Sequence, residues 1–213
     1  MRILITGARS GIGKAIAEKF KSEGWEIDTI EKDEGVQNLY SWDKKKEQVK
    51  TSGEFHAMVL NAGVLFFDLE GEWANAWELI QTNLMGVYYG LYLAPKLLAK
   101  GSPICVISSN AAYTADIFSP LYHASKAAVS SLSHSFALIY APEFRIFSVS
   151  PGLVRTNLGG SGGNLPVSMV EKIPVKRELY PEELAMYIYL LMTKFHYVVG
   201  EDIVIDGGSR WVR

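Results

Sequence analysis

Short runs of apolar, mostly β-branched residues recur along the chain at intervals that leave room for a helix between them. These runs predict six strands, at residues 3–5, 26–30, 57–60, 104–108, 145–149 and 203–205. The first, third and fourth runs are apolar at nearly every position. A strand of this kind is buried on both faces, which is typical of a parallel sheet covered by helices.

Apolar positions with helical spacing fill the intervals between these runs. They predict four helices, over residues 11–21, 73–99, 122–140 and 181–194. The last helix has a clear start, because Pro181 suits the first helical position and Glu182 and Glu183 oppose the positive end of the helix dipole. Alternating strands and helices predict an α/β fold, a doubly wound parallel sheet with right-handed crossovers and helices on both faces.

Length and composition narrow the classes of protein. The chain has 213 residues, of which 48% are hydrophobic, so we expect a single domain whose core needs neither disulfides nor metals. The formal net charge of −2 gives no electrostatic basis for binding nucleic acid or an anionic membrane. The four histidines are not grouped at metal-ligand spacing, and we expect no bound metal.

The single cysteine and the apolar runs bear on the cellular compartment. One cysteine excludes an intrachain disulfide, and Cys105 lies in an apolar run where a small buried residue is expected. The first apolar run ends at once in Thr6-Gly7, unlike a signal peptide, and the uncharged stretch at residues 83–95 is too short to span a bilayer. We therefore expect a cytoplasmic protein.

A glycine-rich turn follows the first predicted strand and leads directly into a predicted helix. Its sequence is Thr6-Gly7-Ala8-Arg9-Ser10-Gly11-Ile12-Gly13. Glycines permit a tight turn and the close approach of a pyrophosphate, while the helix N-terminus offers free N–H groups and partial positive charge. This context favours a dinucleotide site. From the fold alone, a methyltransferase that binds an adenosine ligand at such a turn is the main alternative.

Charged residues near the end of the second predicted strand bear on the choice of dinucleotide. Glu31 lies where an acidic side chain can accept hydrogen bonds from both ribose hydroxyls of NAD and would repel the 2′-phosphate of NADP. Its neighbour Lys32, and Arg9 in the turn, would instead attract that phosphate. We expect NAD(H) to be favoured, and NADP(H) is not excluded.

Three polar side chains further along the chain indicate the chemistry. Tyr122 and Lys126 stand four residues apart at the start of a predicted helix, so they share one face. A phenol pKa of about 10 is too high for a base at neutral pH, but a nearby ammonium and an oxidised nicotinamide stabilise the phenolate. Ser109 directly follows the strand predicted at residues 104–108, at the edge where α/β folds bind ligands, so its hydroxyl could donate a hydrogen bond to a substrate oxygen.

These motifs together resemble those of the short-chain dehydrogenase/reductase family. The resemblance covers nearly the whole chain, and its most specific part is the Tyr-x-x-x-Lys pair 13 residues after Ser109. It implies a Rossmann fold and an NAD(P)-dependent oxidoreductase that transfers a hydride between nicotinamide and a carbonyl or secondary alcohol. The matching motifs are residues 6–13, Asn61-Ala62-Gly63, Asn83, Ser109, Tyr122-His123-Ala124-Ser125-Lys126, Pro151-Gly152 and Asp206-Gly207-Gly208.

The resemblance also implies a role for each matching residue. Tyr122 would be the general acid/base, Lys126 would hold the ribose and lower the pKa of Tyr122, and Ser109 would position the substrate oxygen. Asn83 would hold a water in a proton relay behind Lys126. Besides Tyr122, Lys126, Glu31 and Lys32, the expected dinucleotide contacts are Gly7, Arg9, Ser10, Gly11, Ile12 and Gly13 in the turn, Asp43 at the adenine, Asn61, Ala62 and Gly63 on the adenosine side, and Pro151, Gly152, Val154 and Thr156 beside the nicotinamide.

Two larger features complete the expectations. Residues 157–177 lack clear periodicity and hold four glycines within residues 159–163, after a strand end on the ligand side. We interpret them as a candidate lid over the substrate, the alternative being a flexible connection without a role. The helices predicted at residues 73–99 and 122–140 are longer or more apolar than one sheet face requires. With the family resemblance, they imply a homodimer or homotetramer with two-fold axes.

Two other functions remain open at this point. A catalytically silent dinucleotide-binding sensor could use the same fold, although such relatives typically lose the tyrosine or the lysine, and this chain keeps Asn83, Ser109, Tyr122 and Lys126. A Tyr-x-x-x-Lys pair has no purpose in methyl transfer, which disfavours a methyltransferase. The expected partner is a small-molecule carbonyl or alcohol whose identity the sequence does not indicate.

Overall fold

The computed structural model describes residues 1–31, 42, 54–66, 73–158 and 167–212. Within these ranges the strands form one parallel sheet in the order β2-β1-β3-β4-β5-β6. The strands are β1 (Arg2–Thr6), β2 (Glu26–Ile30), β3 (Ala57–Leu60), β4 (Pro103–Ile107), β5 (Arg145–Pro151) and β6 (Asp202–Ile205). The predicted strands are confirmed, with ends that differ by at most two residues.

Helices cover both faces of this sheet, as predicted. They are α1 (Gly11–Ser22), α2 (Trp73–Ile80), α3 (Gly86–Leu97), α4 (Pro120–Tyr140), α5 (Val167–Lys172) and α6 (Pro181–Thr193). Side chains of α1 and α6 belong to the core on one face, and those of α3 and α4 belong to the core on the other. Among the described residues, no helix is both long and apolar enough to cross a membrane.

Successive residues of the same strand face opposite cores. In β1, Ile3 and Ile5 pack with α1 and α6, while Leu4 packs on the other face with the α3 and α4 side. All three side chains are fully buried, and burying a side chain of this size stabilises a fold by roughly 1.5–3 kcal/mol. Burial on both faces is therefore the physical reason that this strand is apolar at its three central positions.

The order of the strands locates the edge where ligands bind. The chain runs from β1 outwards to β2 on one side, and from β3 to β6 on the other. Because all pairs are parallel, the carboxyl ends of the strands lie at one edge. In open α/β sheets the ligand crevice forms at that edge, where the strand order reverses, and here the reversal lies between β1 and β3.

The continuous helix predicted over residues 73–99 is wrong in its middle and at its end. A π-helical turn at Gln81–Met85 separates α2 from α3, and α3 ends at Leu97. A π turn adds one residue to a helical turn, and this one includes the buried Asn83. Its amide Oδ1 accepts a hydrogen bond from Val64 N at 2.8 Å, and its Nδ2 donates to Val64 O at 2.9 Å. Apolar spacing does not encode a contact of this kind.

Part of the segment at residues 157–177 has structure that its sequence did not reveal. Residues Val167–Lys172 form α5, and the chain after it packs against the C-terminal glycine pair. A Cβ at Gly207 would lie 2.6 Å from Val175, and one at Gly208 would lie 3.0 Å from Pro174. The glycines at 159–163 lie outside the described residues, so the lid stays a prediction.

We expect Gly13→Ala to lower the free energy of unfolding by about 2–3 kcal/mol, although alanine favours a helix by about 1 kcal/mol over glycine. An added Cβ would overlap the carbonyl oxygen of Gly7 and lie 2.5 Å from Asn61 Nδ2. Urea denaturation measures the change. Lys14→Ala, at an exposed position of the same helix, is the control and should change stability by at most about 0.5 kcal/mol. A Gly13→Ala variant as stable as the wild type would contradict this packing.

Candidate active site

The glycine-rich turn is fastened to the sheet by one side chain on each neighbouring strand. The Thr6 hydroxyl accepts hydrogen bonds from the backbone N–H groups of Asn61 and Ala62 at 2.9 and 3.0 Å. The Asn61 amide Nδ2 donates in return to the carbonyl oxygens of Thr6 and Gly7 at 3.1 and 3.0 Å. Gly7 has a φ of 68° and Gly11 a φ of 53°, a left-handed conformation that glycine adopts without strain. These contacts fix the turn immediately before α1, which begins at Gly11.

Glu31 lies against this turn. Its side chain is buried, with 5% of the residue exposed, and its Oε1 accepts a hydrogen bond from the backbone N–H of Ala8 at 3.0 Å. Arg9 and Ser10 are exposed at the outer side of the same turn. Lys32 and Asp43, which the sequence also assigned to the dinucleotide, lie outside the described residues.

The segment after β5 returns to the glycine-rich turn. Gly152 N donates to Ile205 O at 2.9 Å, and a Cβ on Gly152 would approach Asp206 Cα to 2.7 Å. Further along, Thr156 lies beside Gly11, since a Cβ at Gly11 would be 3.4 Å from the Thr156 Cγ2. The structure thus brings into contact two predicted stretches of cofactor residues, the one expected at the pyrophosphate and the one expected beside the nicotinamide.

Ser109 and Tyr122 meet at the carboxyl end of β4. Ser109 caps the 3₁₀ turn Asn110–Tyr113, where its Oγ accepts a hydrogen bond from Ala111 N at 3.1 Å. Tyr122 lies in the first turn of α4. Burial raises the pKa of the Tyr122 phenol above its ordinary value, and a hydrogen bond with Ser109 opposes that rise. The phenol is protonated at neutral pH, as an ordinary phenol is, and the net upward shift of its pKa adds to that preference.

Lys126 lies one helical turn after Tyr122 on α4, and its side chain is buried. Its Nζ donates a hydrogen bond to Ile107 O at 3.0 Å and lies 5.7 Å from the centroid of the Tyr122 ring. Burial lowers the pKa of the Lys126 ammonium to about 8. The group is therefore mostly charged at neutral pH and loses its charge as the pH rises through about 8. A cation in this position stabilises a phenolate on Tyr122.

Asn83 is connected to the backbone of Tyr122 through the Ser125 hydroxyl. Beyond its two bonds with Val64, its Nδ2 lies 3.3 Å from Ser125 Oγ, and that hydroxyl donates to Tyr122 O at 2.7 Å. A Cβ at Gly63 would lie 3.4 Å from Asn83 Oδ1 and 3.6 Å from Lys126 Nζ, so Gly63 separates the two side chains. The Asn83 amide fastens the segment after β3 to the helix layer. Its implied role in a proton relay stays a prediction.

Sequence reasoning missed a second set of contacts, in the loop between Ser109 and Tyr122. The His123 ring contacts Thr114 O through Nδ1 at 2.7 Å and Asp116 Oδ2 through Nε2 at 3.0 Å. Asp116 also accepts hydrogen bonds from the backbone N–H groups of Phe118 and Ser119. The loop is thereby tied to the start of α4. Aspartate is a common turn residue because its side chain accepts a hydrogen bond from the backbone two residues on, which could have indicated the loop but not its histidine partner.

Three curated proteins align with nearly the whole chain. The sorbose reductase of Schizosaccharomyces pombe is 31% identical, over 96% of this chain and 94% of the relative. The NAD-dependent glycerol dehydrogenase of Listeria innocua serovar 6a is 29% identical, over 96% and 92%. A Yarrowia lipolytica protein named "Probable NADP-dependent mannitol dehydrogenase" is 31% identical, over 96% and 85%.

Solved structures and a family model agree with these relatives. The ligand-free aldohexose dehydrogenase of Thermoplasma acidophilum superposes with a TM-score of 0.88 at 26% identity, covering 100% of this chain and 94% of the other. A short-chain type dehydrogenase/reductase from Mycobacterium marinum gives a TM-score of 0.85 at 28% identity, covering 98% and 94%. The family model described as enoyl-(acyl carrier protein) reductase matches residues 30–210. The chain belongs to the short-chain dehydrogenase/reductase family of oxidoreductases.

Proposed function

We propose that this protein transfers a hydride between a nicotinamide dinucleotide and a carbonyl or secondary alcohol carbon, with Tyr122 as the acid/base. The observation that carries the proposal is the grouping of three side chains at the carboxyl edge of the sheet. The Ser109 side chain is close enough to Tyr122 to lower the pKa of its phenol, and the Lys126 ammonium lies 5.7 Å from the Tyr122 ring centroid. The glycine-rich turn opens at the same edge, so a dinucleotide held there would extend towards this group.

The residues of the turn fit a dinucleotide. Gly13 lies so close to Gly7 that a side chain there would push the turn away from the helix, and the N-terminus of α1 directs N–H groups to the place where a pyrophosphate would lie. Glu31 would accept hydrogen bonds from the adenosine ribose, and Lys126 would hold the nicotinamide ribose. When bound, the dinucleotide supplies or accepts the hydride, and its oxidised form adds positive charge near Tyr122.

The remaining chemistry belongs to the protein side chains. In carbonyl reduction the Tyr122 phenol donates its proton to the substrate oxygen, and in alcohol oxidation the phenolate accepts that proton. The Ser109 hydroxyl would donate a hydrogen bond to the same oxygen and hold it beside Tyr122. The raised pKa of Tyr122 keeps its proton available for reduction. Oxidation therefore relies on the Lys126 ammonium, whose positive charge favours the phenolate.

Glu31 favours NAD(H) over NADP(H). Its buried carboxylate at Ala8 would lie close to a 2′-phosphate, and the like charges would repel each other. The relatives use both dinucleotides by name, NAD in the glycerol dehydrogenase and NADP in the mannitol dehydrogenase. The preference of this chain thus depends on its own residues at this position, and Arg9 is the described cation that would act against Glu31.

The substrate that we propose is a small-molecule carbonyl or alcohol. Relatives are named for sorbose, glycerol, mannitol and aldohexoses, so ketoses, aldoses and their polyols are the first compounds to assay. We also propose that two copies pair through α3 and α4, in a homodimer or a homotetramer. Tyr88 and Tyr92 stack on α3 with their ring centroids 6.3 Å apart and remain exposed, as residues of such an interface would in one isolated chain.

We expect Tyr122→Phe to lower kcat at least about 100-fold, because it removes the transferable proton and keeps the ring. The assay follows NADH and NADPH absorbance against the carbonyl panel, with dinucleotide Kd measured by fluorescence titration. The Kd should stay within about threefold of wild type. Tyr187→Phe, at an exposed position on α6, is the control and should leave kcat unchanged.

Two outcomes would count against this proposal. A Tyr122→Phe variant that keeps more than about a tenth of the wild-type kcat would show that Tyr122 is not the acid/base. A wild-type protein that binds NADH or NADPH but turns over no carbonyl in the panel would instead support a catalytically silent sensor.

We expect Glu31→Ser to shift the dinucleotide preference towards NADP(H) by at least about tenfold, measured as the ratio of kcat/KM with NADP(H) to kcat/KM with NAD(H). The substitution removes the like-charge repulsion. Both ratios come from initial rates with each dinucleotide. Glu26→Ser, at the end of β2 away from Glu31, is the control and should not change the ratio. If the ratio is the same before and after the Glu31 substitution, the carboxylate does not decide the preference, and Arg9 or Lys32 becomes the residue to vary.

A further inference from the structure

Asp202, at the first position of β6, collects hydrogen bonds that the proposed mechanism does not use. Its carboxylate accepts one from Ser130 Oγ at 2.7 Å, one from the Tyr113 hydroxyl at 2.8 Å, and one from Ser150 Oγ, which lies 2.8 Å from both carboxylate oxygens. Ser130 and Ser150 are buried. One carboxylate thus links α4, β5 and the 3₁₀ turn that Ser109 caps.

From Asp202 a chain of hydroxyls leads to Lys126. Ser130 Oγ lies 2.8 Å from Ser108 Oγ, and Ser108 Oγ donates to Lys126 O at 3.0 Å. The other end of Lys126 is held by Ile107, the residue before Ser108, because Lys126 Nζ donates to Ile107 O. Ile107 and Ser108 therefore contact both ends of Lys126, and Ser108 Oγ lies against the hydroxyl that Asp202 fixes.

The charge of Asp202 sets the direction of these hydrogen bonds. An ionised carboxylate only accepts, so the Ser130 proton is committed to Asp202 and the Ser130 oxygen can only accept from Ser108. The single Ser108 proton is therefore shared between Ser130 Oγ and Lys126 O. An asparagine at position 202 would keep the shape and could donate from its amide to Ser130. Ser130 would then donate to Ser108, and Ser108 would donate to Lys126 O. Each of the three contacts between position 202 and Lys126 would then be a hydrogen bond.

We propose that Asp202 is a positioning residue for the reaction, fixing Lys126 through Ser130 and Ser108. It also fixes the turn after Ser109 through Tyr113. This inference rests on the proposed function, because it assigns Asp202 to the placement of the same catalytic group. Asp202 itself does not touch the substrate, the dinucleotide or the reacting atoms in this account. Its substitution should therefore change turnover much more than binding.

Steady-state kinetics test the route through the serines. Asp202→Ala should lower kcat about 10- to 100-fold and leave KM and dinucleotide Kd within about threefold, while Asp202→Asn should return kcat to within about threefold of wild type. Because the residues act in one chain, Asp202→Ala combined with Ser108→Ala should be no more than about threefold slower than the slower single variant. Ser133→Ala is the control: Ser133 is also buried on α4, but its hydroxyl donates to Val129 O of the same helix.

Three kinetic results would overturn the inference: an unchanged kcat in Asp202→Ala, losses that multiply in the double variant, or an equal loss in Ser133→Ala. If Asp202→Ala does not fold, Ser130→Ala takes its place in the same cycle, because it breaks the same chain one residue later.

Amide hydrogen exchange tests the positioning without turnover. Asp202→Ala should speed exchange in peptides covering residues 108–113 and 126–130, while Asp202→Asn and Ser133→Ala should not. Unchanged exchange in Asp202→Ala would overturn the inference even if kcat falls. If the wild-type protein shows no turnover, the proposed function fails, and this measurement still decides whether Asp202 holds the two segments.

Discussion

The parallel alignment of the strands is the constraint on which the rest of the structure depends. Because β1, β3, β4 and β5 all end at the same edge, the glycine-rich turn, Asn61 and Ser109 are neighbours there although they are far apart in the sequence. Asn61 makes the arrangement specific, since its amide joins the end of β3 to the turn after β1. Both the residues proposed for the dinucleotide and the proposed acid/base group occupy positions that this edge creates.

Lys126 is the point where stability and function oppose each other. A buried cation costs free energy, and the lowering of its pKa from 10.5 to about 8 corresponds to about 3 kcal/mol at pH values below 8. The unfolded chain keeps its proton up to about pH 10.5, so this cost fades as the pH rises from about 8 towards that value. Two groups lie near the Lys126 ammonium: the backbone oxygen of Ile107 and the ring of Tyr122. Buried groups with a perturbed pKa cluster at functional sites, which agrees with the role proposed for Lys126.

The sequence predicted those parts of the molecule that follow from periodicity and from local motifs. Strands such as Ala57–Leu60 were clear because burial on both faces demands apolar residues, and the Tyr122–Lys126 pair was clear because helical spacing places the two residues on one face. Three features were not predictable: the π turn around Asn83, the hydrogen bond between Ala8 and Glu31, and the hydrogen bond between Ser130 and Asp202. Each depends on polar contacts between residues 19 to 72 positions apart, and no local pattern records such a contact.

The most direct measurement of the central claim, that Tyr122 is the acid/base, is the pH dependence of hydride transfer with a secondary alcohol and its deuterated counterpart. The phenolate is the base in oxidation, so kcat for oxidation should rise with pH and level off above the pKa of Tyr122 in the complex. In carbonyl reduction kcat should fall over the same range, because the phenol is then the acid. A flat profile in both directions, with deuterium slowing turnover enough to show that hydride transfer is rate-limiting, would contradict the account.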